Sequence, residues 1–481
     1  MIIKTPDGRA YPVEMHKTRM IQKITLVPAQ ERLKAIEEAG YNTFQLKTKD
    51  IFLDMLTDSG VNAMSDNQFA SFMNTDDAYA GSMTFYDFVD AVRDVLGYKY
   101  TMNAHQGRAA EHLLAKTFIK EGMVVPTNYH FTTTKVHIEL PGAKILEIYY
   151  DEALKTKSTN PFKGCMDPKK LRDVIKKYGK EKIAYVRMEA TANLLGGQPF
   201  SMANLKEIIK ISKESGLLTV LDGSLICENA YLIMQREEGY KNKTVAEIVK
   251  EMCSLFDIFY MSGRKNTCVR GGCIATNNKE LFDKISPWLP VYEGFYTYGG
   301  MSQREVAMMA VGMREMTDPS VAGSAVEQVK YFADRLEETG IPIVTPSGGL
   351  ACHLDAKKFV SHIPKEDYIA GALTTALYIA SGIRSMERGT ISMERNPDGS
   401  EAYADLELTR IAIPRRVYTV SQIEYAVDRI NWLYKNRNLI KGLKWVSEPP
   451  VLRFFVGSLD VLDNWSKKLC DAFRKDFGDK L

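Results

Sequence analysis

No stretch of this 481-residue sequence is apolar for long enough to span a bilayer, and its first residues lack the apolar run of a signal peptide. Both absences lead to the expectation of a soluble, cytoplasmic protein. Cysteine is sparse and unpatterned. Cys165, Cys227, Cys253, Cys268, Cys273, Cys352 and Cys470 lie mostly within apolar segments, and an odd number without framework spacing points to reduced core thiols. The seven histidines form no HExxH and no cluster with cysteine, which argues against a zinc site. Charge of one sign is also lacking. A net charge of +3 gives no reason to expect nucleic acid or an anionic membrane as a partner. No repeat and no low-complexity linker interrupts the chain.

What is present is an ordinary globular composition, 45% hydrophobic and 26% charged, on a chain long enough for two or three domains. Pro28 and Gly40 bracket a helix over Ala29 to Ala39. From about residue 100 to 300, helix and strand patterns alternate. A helix over Ala109 to Ile119 carries Ala110, Leu113, Leu114 and Phe118 on one face. A strand follows at Lys182 to Ala190, a helix at Met202 to Ser215, and two further strands read GLLTVLDGS (Gly216 to Ser224) and DIFYMSGRKN (Asp257 to Asn266). This alternation predicts an α/β fold with a mainly parallel sheet covered by helices. From about 310 a long helix (Val321 to Thr339) and strand-like pieces near Ile341 and Leu406 predict a smaller α+β domain. Leu462, Trp465, Leu469 and Phe473 near the C-terminus recur at helical spacing, as in a helix that docks on the fold or contacts another copy.

Several segments carry chemistry. Asp222 and Lys265 end two of the predicted strands, and Ser262 precedes the lysine by three. A lysine for a Schiff base, an acid for a pyridinium nitrogen and a hydroxyl for a phosphate suit pyridoxal phosphate. His105-Gln106-Gly107-Arg108 opens a helix, where free N–H groups and an arginine attract an anion; it reads equally as an ordinary cap. Asn193, in Asn-Leu-Leu-Gly-Gly-Gln, follows a strand and either converges with Asp222 and Lys265 at the carboxyl edge of the sheet or stabilises a turn. Phe131 to Thr134 (FTTT) offers an aromatic face and hydroxyls, although its propensity is that of plain strand. Arg384, Arg388, Arg410, Arg415 and Arg416 lie in apolar surroundings, and arginine grips carboxylates in a bidentate fork.

Together with GYNTF, LTDSGVNAMSD, DAYAGS, HQGRAAEHLL, PFKG, NLLGGQPFSMANL, MSGRK, RSMERG, IPRRVYT and LRFF, these segments resemble the aromatic amino-acid β-eliminating lyases, the tyrosine phenol-lyases and tryptophanases, from about residue 20 to 455. The resemblance implies a fold type I pyridoxal-phosphate enzyme with a seven-stranded sheet. It divides the chain into an N-terminal arm with part of the small domain (1–57), a large cofactor-binding domain (58–310), the rest of the small domain (311–456) and a C-terminal helical extension (457–481). It also implies a homotetramer and a monovalent cation such as potassium. Lys265 would be the Schiff-base lysine and proton carrier, Asp222 the pyridinium partner and Phe131 the ring that stacks on the cofactor. Gln106, Gly107, Arg108 and Ser262 would hold its phosphate, and Asn193 would sit by its phenolic oxygen. Arg410 would take the substrate carboxylate, and Tyr79 would protonate the leaving ring carbon. Phe44, Phe454 and Phe455 would wall the aromatic pocket. Gly60 and Asp77 match the cation site, where the family usually has glutamate at the second.

Arg388, with Thr132, matches the pair that handles the phenolic hydroxyl in tyrosine phenol-lyases, where tryptophanases are apolar. A buried arginine without a polar partner is costly, so the resemblance favours a phenol-bearing substrate. L-Tyrosine would give phenol, pyruvate and ammonia. The alternatives are a tryptophanase, another carbon–carbon or carbon–sulfur β-lyase, or a catalytically weak homologue acting in binding or assembly. Departures from the family bear on that choice. Leu225 replaces an arginine that contacts the cofactor's phenolic oxygen, and Leu350 replaces an active-site histidine. Arg264 and Asn266 flank Lys265 where the family has lysine and aspartate, and a cation ligand is missing near Arg270, which could supply positive charge instead.

Overall fold

The computed structural model describes residues 1–6 and 8–481. Its centre is a seven-stranded sheet of β1 (Tyr100–Ala104), β2 (Val124–Thr127), β3 (Lys144–Glu147), β4 (Val186–Glu189), β5 (Thr219–Asp222), β6 (Ile258–Ser262) and β7 (Gly272–Thr276). The strand order is β1-β7-β6-β5-β4-β2-β3. Parallel pairing runs from β3 through β2, β4 and β5 to β6, and only β7 is antiparallel to its neighbours β6 and β1. β4, β5 and β6 are buried along their whole length, as strands covered on both faces must be. One face, carrying Met188, Leu221, Phe259 and Met261, packs on helices that include Met202–Glu214 and Val245–Ser254. The other, carrying Val125, Val220, Ile258 and Tyr260, packs on α1 (Gly107–Phe118) and α2 (Thr132–Glu139).

A second core joins the two ends of the chain. Residues between Ala29 and Met55 pack with residues between Val329 and Phe473 around the fully buried helix Ile369–Ser381. Here β8 (Ala351–Asp355), β10 (Leu408–Ala412) and β9 (Met386–Arg388) form an antiparallel sheet with β10 central, which sets His353 and Met386 on either side of Arg410. Among the described residues no helix is long and apolar enough to cross a membrane.

Four local expectations change. Thr132 to Thr134 are the first turn of α2 and not a strand, because the Thr133 and Thr134 hydroxyls bond the buried Glu111 of α1. This tertiary contact outweighs β propensity. The Lys182 strand shortens to β4, and the strand leading to Lys265 stops at Ser262, leaving the lysine in the following turn. Near Ile341 there is only a single bridge, Ile343 to Leu354. All seven cysteines are buried and unpaired.

The C-terminal helix Trp465–Phe477 docks on this same chain, against Ala29–Glu38 and Ile369–Ser381. Trp465 is fully buried, and its indole N–H donates to the Gly442 carbonyl at 3.0 Å. Leu462 precedes the helix and is only partly covered. Trp465→Ala should cost about 3–5 kcal/mol of stability by urea unfolding, the range for emptying a large aromatic site. A loss below about 1 kcal/mol would mean that the helix is not part of the core.

Candidate active site

The carboxyl ends of β4, β5 and β6 and the N-terminus of α1 open into a cavity of about 250 Å³ between the two cores. This is where an open α/β sheet presents its ligand site. Gln106 begins α1 in extended conformation with no side-chain cap, and Gln106, Gly107, Arg108 and Ser262 all line the cavity. Gly107 is required by space: a Cβ there would lie 2.9 Å from Ser262 Cβ and 3.2 Å from its backbone nitrogen. Free N–H groups, a hydroxyl and a guanidinium therefore converge on a small volume.

Asp222 ends β5 on the floor of the cavity. Its Oδ1 accepts the Ser224 N–H at 3.0 Å, and its Oδ2 accepts from Arg187 at 2.6 Å and from the Tyr260 hydroxyl at 2.9 Å. Lys265 lines the cavity from the turn after β6, its Nζ 5.2 Å from the centre of the Phe131 ring. The lysine's carbonyl accepts from Asn62 Nδ2 and Arg415 Nη1, each at 3.0 Å, so both chain ends clamp its backbone. Asn266 donates to Glu228 at 2.7 Å, and Glu228 also accepts from Arg415. An amide at 266 thus gives that buried carboxylate a donor.

The small domain supplies the opposite wall. Arg388 is buried between Phe131 and Phe454, 5.6 and 5.7 Å from their centres, and its Nη1 donates to Thr132 Oγ1 at 3.3 Å. Arg410 donates to Asn193 Oδ1 at 2.8 Å and to the Leu56 carbonyl at 2.9 Å. The Nε atoms of both arginines and Nδ2 of Asn193 are buried without a partner. Burial, then repulsion from Arg410, pushes the Arg388 guanidinium well below its usual range, and burial brings Arg410 to about 10. A site holding two such guanidiniums is suited to receive anionic or phenolic oxygen. Phe44 meets Phe454 and Phe455 edge-on at 5.4 and 5.0 Å and closes the aromatic end.

Four of the assigned positions lie elsewhere, among them Gly60, whose N–H donates to the Arg264 carbonyl at 2.8 Å. Asn193 stands behind the lining, held by Arg410. Tyr79 is 72% exposed, stacked on Phe295 and edge-on to Tyr298, and does not line the cavity. Asp77 pairs with Arg304 on the surface at 2.8 Å. Sequence reasoning also missed residues. Glu189, Thr191, Ser224 and Glu111 line the cavity, and Arg187 and Tyr260 support its floor. The signal was in β4, where Arg187 and Glu189 stand two apart, and so on one face, in a strand otherwise read as apolar.

The model of a protein family described as beta-eliminating lyase matches residues 54–429. The chain belongs to that family. It is similar to the tyrosine phenol-lyase of Symbiobacterium thermophilum (44% identical over 449 residues, 93% of this chain and 98% of that protein). The tyrosine phenol-lyase of Pasteurella multocida is 43% identical over 454 residues, covering 94% and 99%, and that of Nostoc punctiforme 42% over 453, covering 94% and 97%. Among solved structures, Sphingomonas wittichii serine palmitoyltransferase superposes with a TM-score of 0.55 at 13% identity, over 81% of this chain and 88% of that one. A structure described as SPT with PLP reaches 0.58 at 14%, over 85% and 97%. At these identities the likeness is one of fold, and that fold is type I, as the resemblance implied.

The residues of this β-eliminating lyase fit pyridoxal phosphate. The Gly107 cradle suits a phosphate, the Asp222 carboxylate a protonated ring nitrogen, Phe131 a ring face and Lys265 an aldehyde. They do not fit the cation in the same way. A Cβ on Gly60 would fall 2.5 Å from Arg264 Nη2, so a guanidinium already stands beside that position, and Asp77 is engaged elsewhere. Arg270 is exposed, and its positive charge, with that of Arg108, acts on Arg264 after burial to lower its pKa. Gly107→Ala should weaken pyridoxal-phosphate binding about tenfold or more, as expected for 1–3 kcal/mol of overpacking. Equilibrium dialysis reads this directly, and unchanged affinity would remove α1 from the phosphate site.

Proposed function

We propose that this protein is a pyridoxal-phosphate-dependent carbon–carbon lyase that converts L-tyrosine to phenol, pyruvate and ammonia. The observation that carries the reading is Arg388, buried with the Thr132 hydroxyl at the aromatic end of the cavity and keeping an unpartnered Nε. A phenolic oxygen gives such a guanidinium a partner, whereas indole offers only a donor. Bound cofactor supplies the electron sink for charge left on the α-carbon. Arg410 takes the α-carboxylate, and Lys265 removes the α-proton and carries it. Arg388 and Thr132 hold the phenolic oxygen, while Phe44, Phe454 and Phe455 exclude water from the ring.

Tyr79 is the proton donor to the leaving ring carbon in this reading. Because it stands exposed beside Phe295 and outside its own cavity, it serves the site of a second copy, in keeping with a homotetramer. Arg264 supplies the positive charge beside Gly60 that potassium would otherwise bring.

Lys265→Ala should abolish pyruvate release from tyrosine. Arg388→Met should lower kcat/KM for tyrosine about 10- to 100-fold, the worth of a charged hydrogen bond, without a comparable loss for S-alkyl cysteines, which lack the hydroxyl. Faster turnover of tryptophan than of tyrosine by the unmodified enzyme would overturn the substrate assignment. Equal rates in sodium, potassium and tetramethylammonium buffers are expected from the Arg264 arrangement; strong activation by potassium would refute it.

A further inference from the structure

The acid on the cavity floor does not stand alone. Glu189 ends β4 in direct register with Asp222, so both side chains leave the same face of the sheet. Arg187, two residues earlier on that face, lies between them. Its Nη2 donates to Asp222 Oδ2 at 2.6 Å and to Glu189 Oε2 at 3.3 Å, and its Nη1 also donates to Glu189 Oε2 at 3.3 Å. The remaining donors are engaged by the Tyr260 hydroxyl, Thr127, the Tyr129 carbonyl and Thr134. The guanidinium is therefore fixed, fully buried and closer to Asp222 than to Glu189.

An arginine on Asp222 changes what that carboxylate can do. Its charge is already neutralised from below, and Tyr260 takes a further share of Oδ2. A carboxylate so engaged holds a ring-nitrogen proton less strongly. Glu189 lines the cavity beside it, with Oε1 accepting the Asn193 N–H at 3.1 Å. The charged and titratable groups facing this pair are Arg187 on β4, Tyr260 on β6, Glu111 on α1, Lys265 in the turn after β6 and Arg388 on β9.

We propose that Glu189 is a positioning residue for the cofactor, restoring the negative charge that Arg187 draws from Asp222, so that the proton on the ring nitrogen is set by Arg187, Asp222 and Glu189 together. With Glu189 ionised the three sum to one negative charge, as a lone aspartate would; with Glu189 protonated they sum to zero. Burial, against the pull of Arg187 and with repulsion from Asp222, raises the Glu189 carboxyl to about 7, which puts the change of state near neutral pH. Burial and Asp222 also raise Glu111, which bonds Thr133 and Thr134. Burial opposes the charge on Arg187 but is outweighed by Tyr260, Asp222, Glu189 and Glu111, so the arginine remains charged throughout.

This inference rests on the reading that pyridoxal phosphate binds with its ring nitrogen at Asp222. The test uses ¹⁵N-labelled cofactor in the holoenzyme and follows the ring-nitrogen resonance against pH. Glu189→Gln should lower the proton affinity of the ring nitrogen about tenfold or more, the effect of removing one nearby charge. The double variant Arg187→Met with Glu189→Gln should bring it back toward the unmodified enzyme, because a lone Asp222 charge remains. An unchanged profile in Glu189→Gln, or a double variant no different from it, would overturn the proposal. Should Glu189→Gln fail to retain cofactor, recovery of binding in the double variant supports the proposal and continued loss overturns it. If the unmodified protein binds no cofactor, the parent reading fails instead, and the two failures are distinct.

Discussion

A buried carboxylate must be matched, and the arrangement around Asp222 follows from that requirement. Moving an ion out of water costs several kcal/mol even after relaxation, and leaving one partner of a buried pair alone costs about 3–5 kcal/mol. Asp222 lies at the carboxyl edge of β5 with almost no exposure, and Arg187, Tyr260 and the Ser224 N–H supply what water would. Those partners come from β4, β6 and the turn after β5. The strands must therefore stand in one register for the charge to be tolerated, and the same register brings Glu189 beside Asp222.

The clamp on Lys265 applies the same logic between the two cores. Its carbonyl takes donors from Asn62 and Arg415, and Arg415 is matched by Asp58 at 3.2 Å and by Glu228. The lysine's position thus depends on segments 203 residues before it and 150 after it. On the proposed reading, in which the Lys265 amine serves both a cofactor and an α-carbon, such rigidity would help, because reacting groups held in place avoid the entropy of finding one another.

Much of this was legible in the sequence where local signals and global fold agree. The alternating pattern gave the parallel sheet, and Asp222, Lys265, Gly107 and Arg388 line one cavity because each follows or ends a sheet strand or opens a helix; Arg410 joins them from the middle of β10. The failures were tertiary. The FTTT run carries strand propensity, yet Glu111 from another helix draws two of its hydroxyls into a helical turn. Arg187 and Glu189 went unread because a charged pair inside a short buried strand becomes meaningful only when the neighbouring strand presents Asp222.

Leu225 and Leu350 stand where the resemblance expects an arginine and a histidine, and the structure joins them. They pack with Ala351 and Ala412 into one small apolar cluster, with Leu225 at the cavity wall. The strand does carry a histidine three residues on, but His353 is buried, its ring pushed down to about 3 by burial and by Arg410, so it stays neutral and outside the cavity. The Leu225 wall is apolar, while a guanidinium, Arg187, sits beneath Asp222. On the proposed reading the cofactor would meet an apolar side at Leu225 and a carboxylate shared with Arg187. On the proposal, each feature would reduce the bias toward an ionised phenolic oxygen and a protonated ring, and Glu189, in register with Asp222, would offset the second.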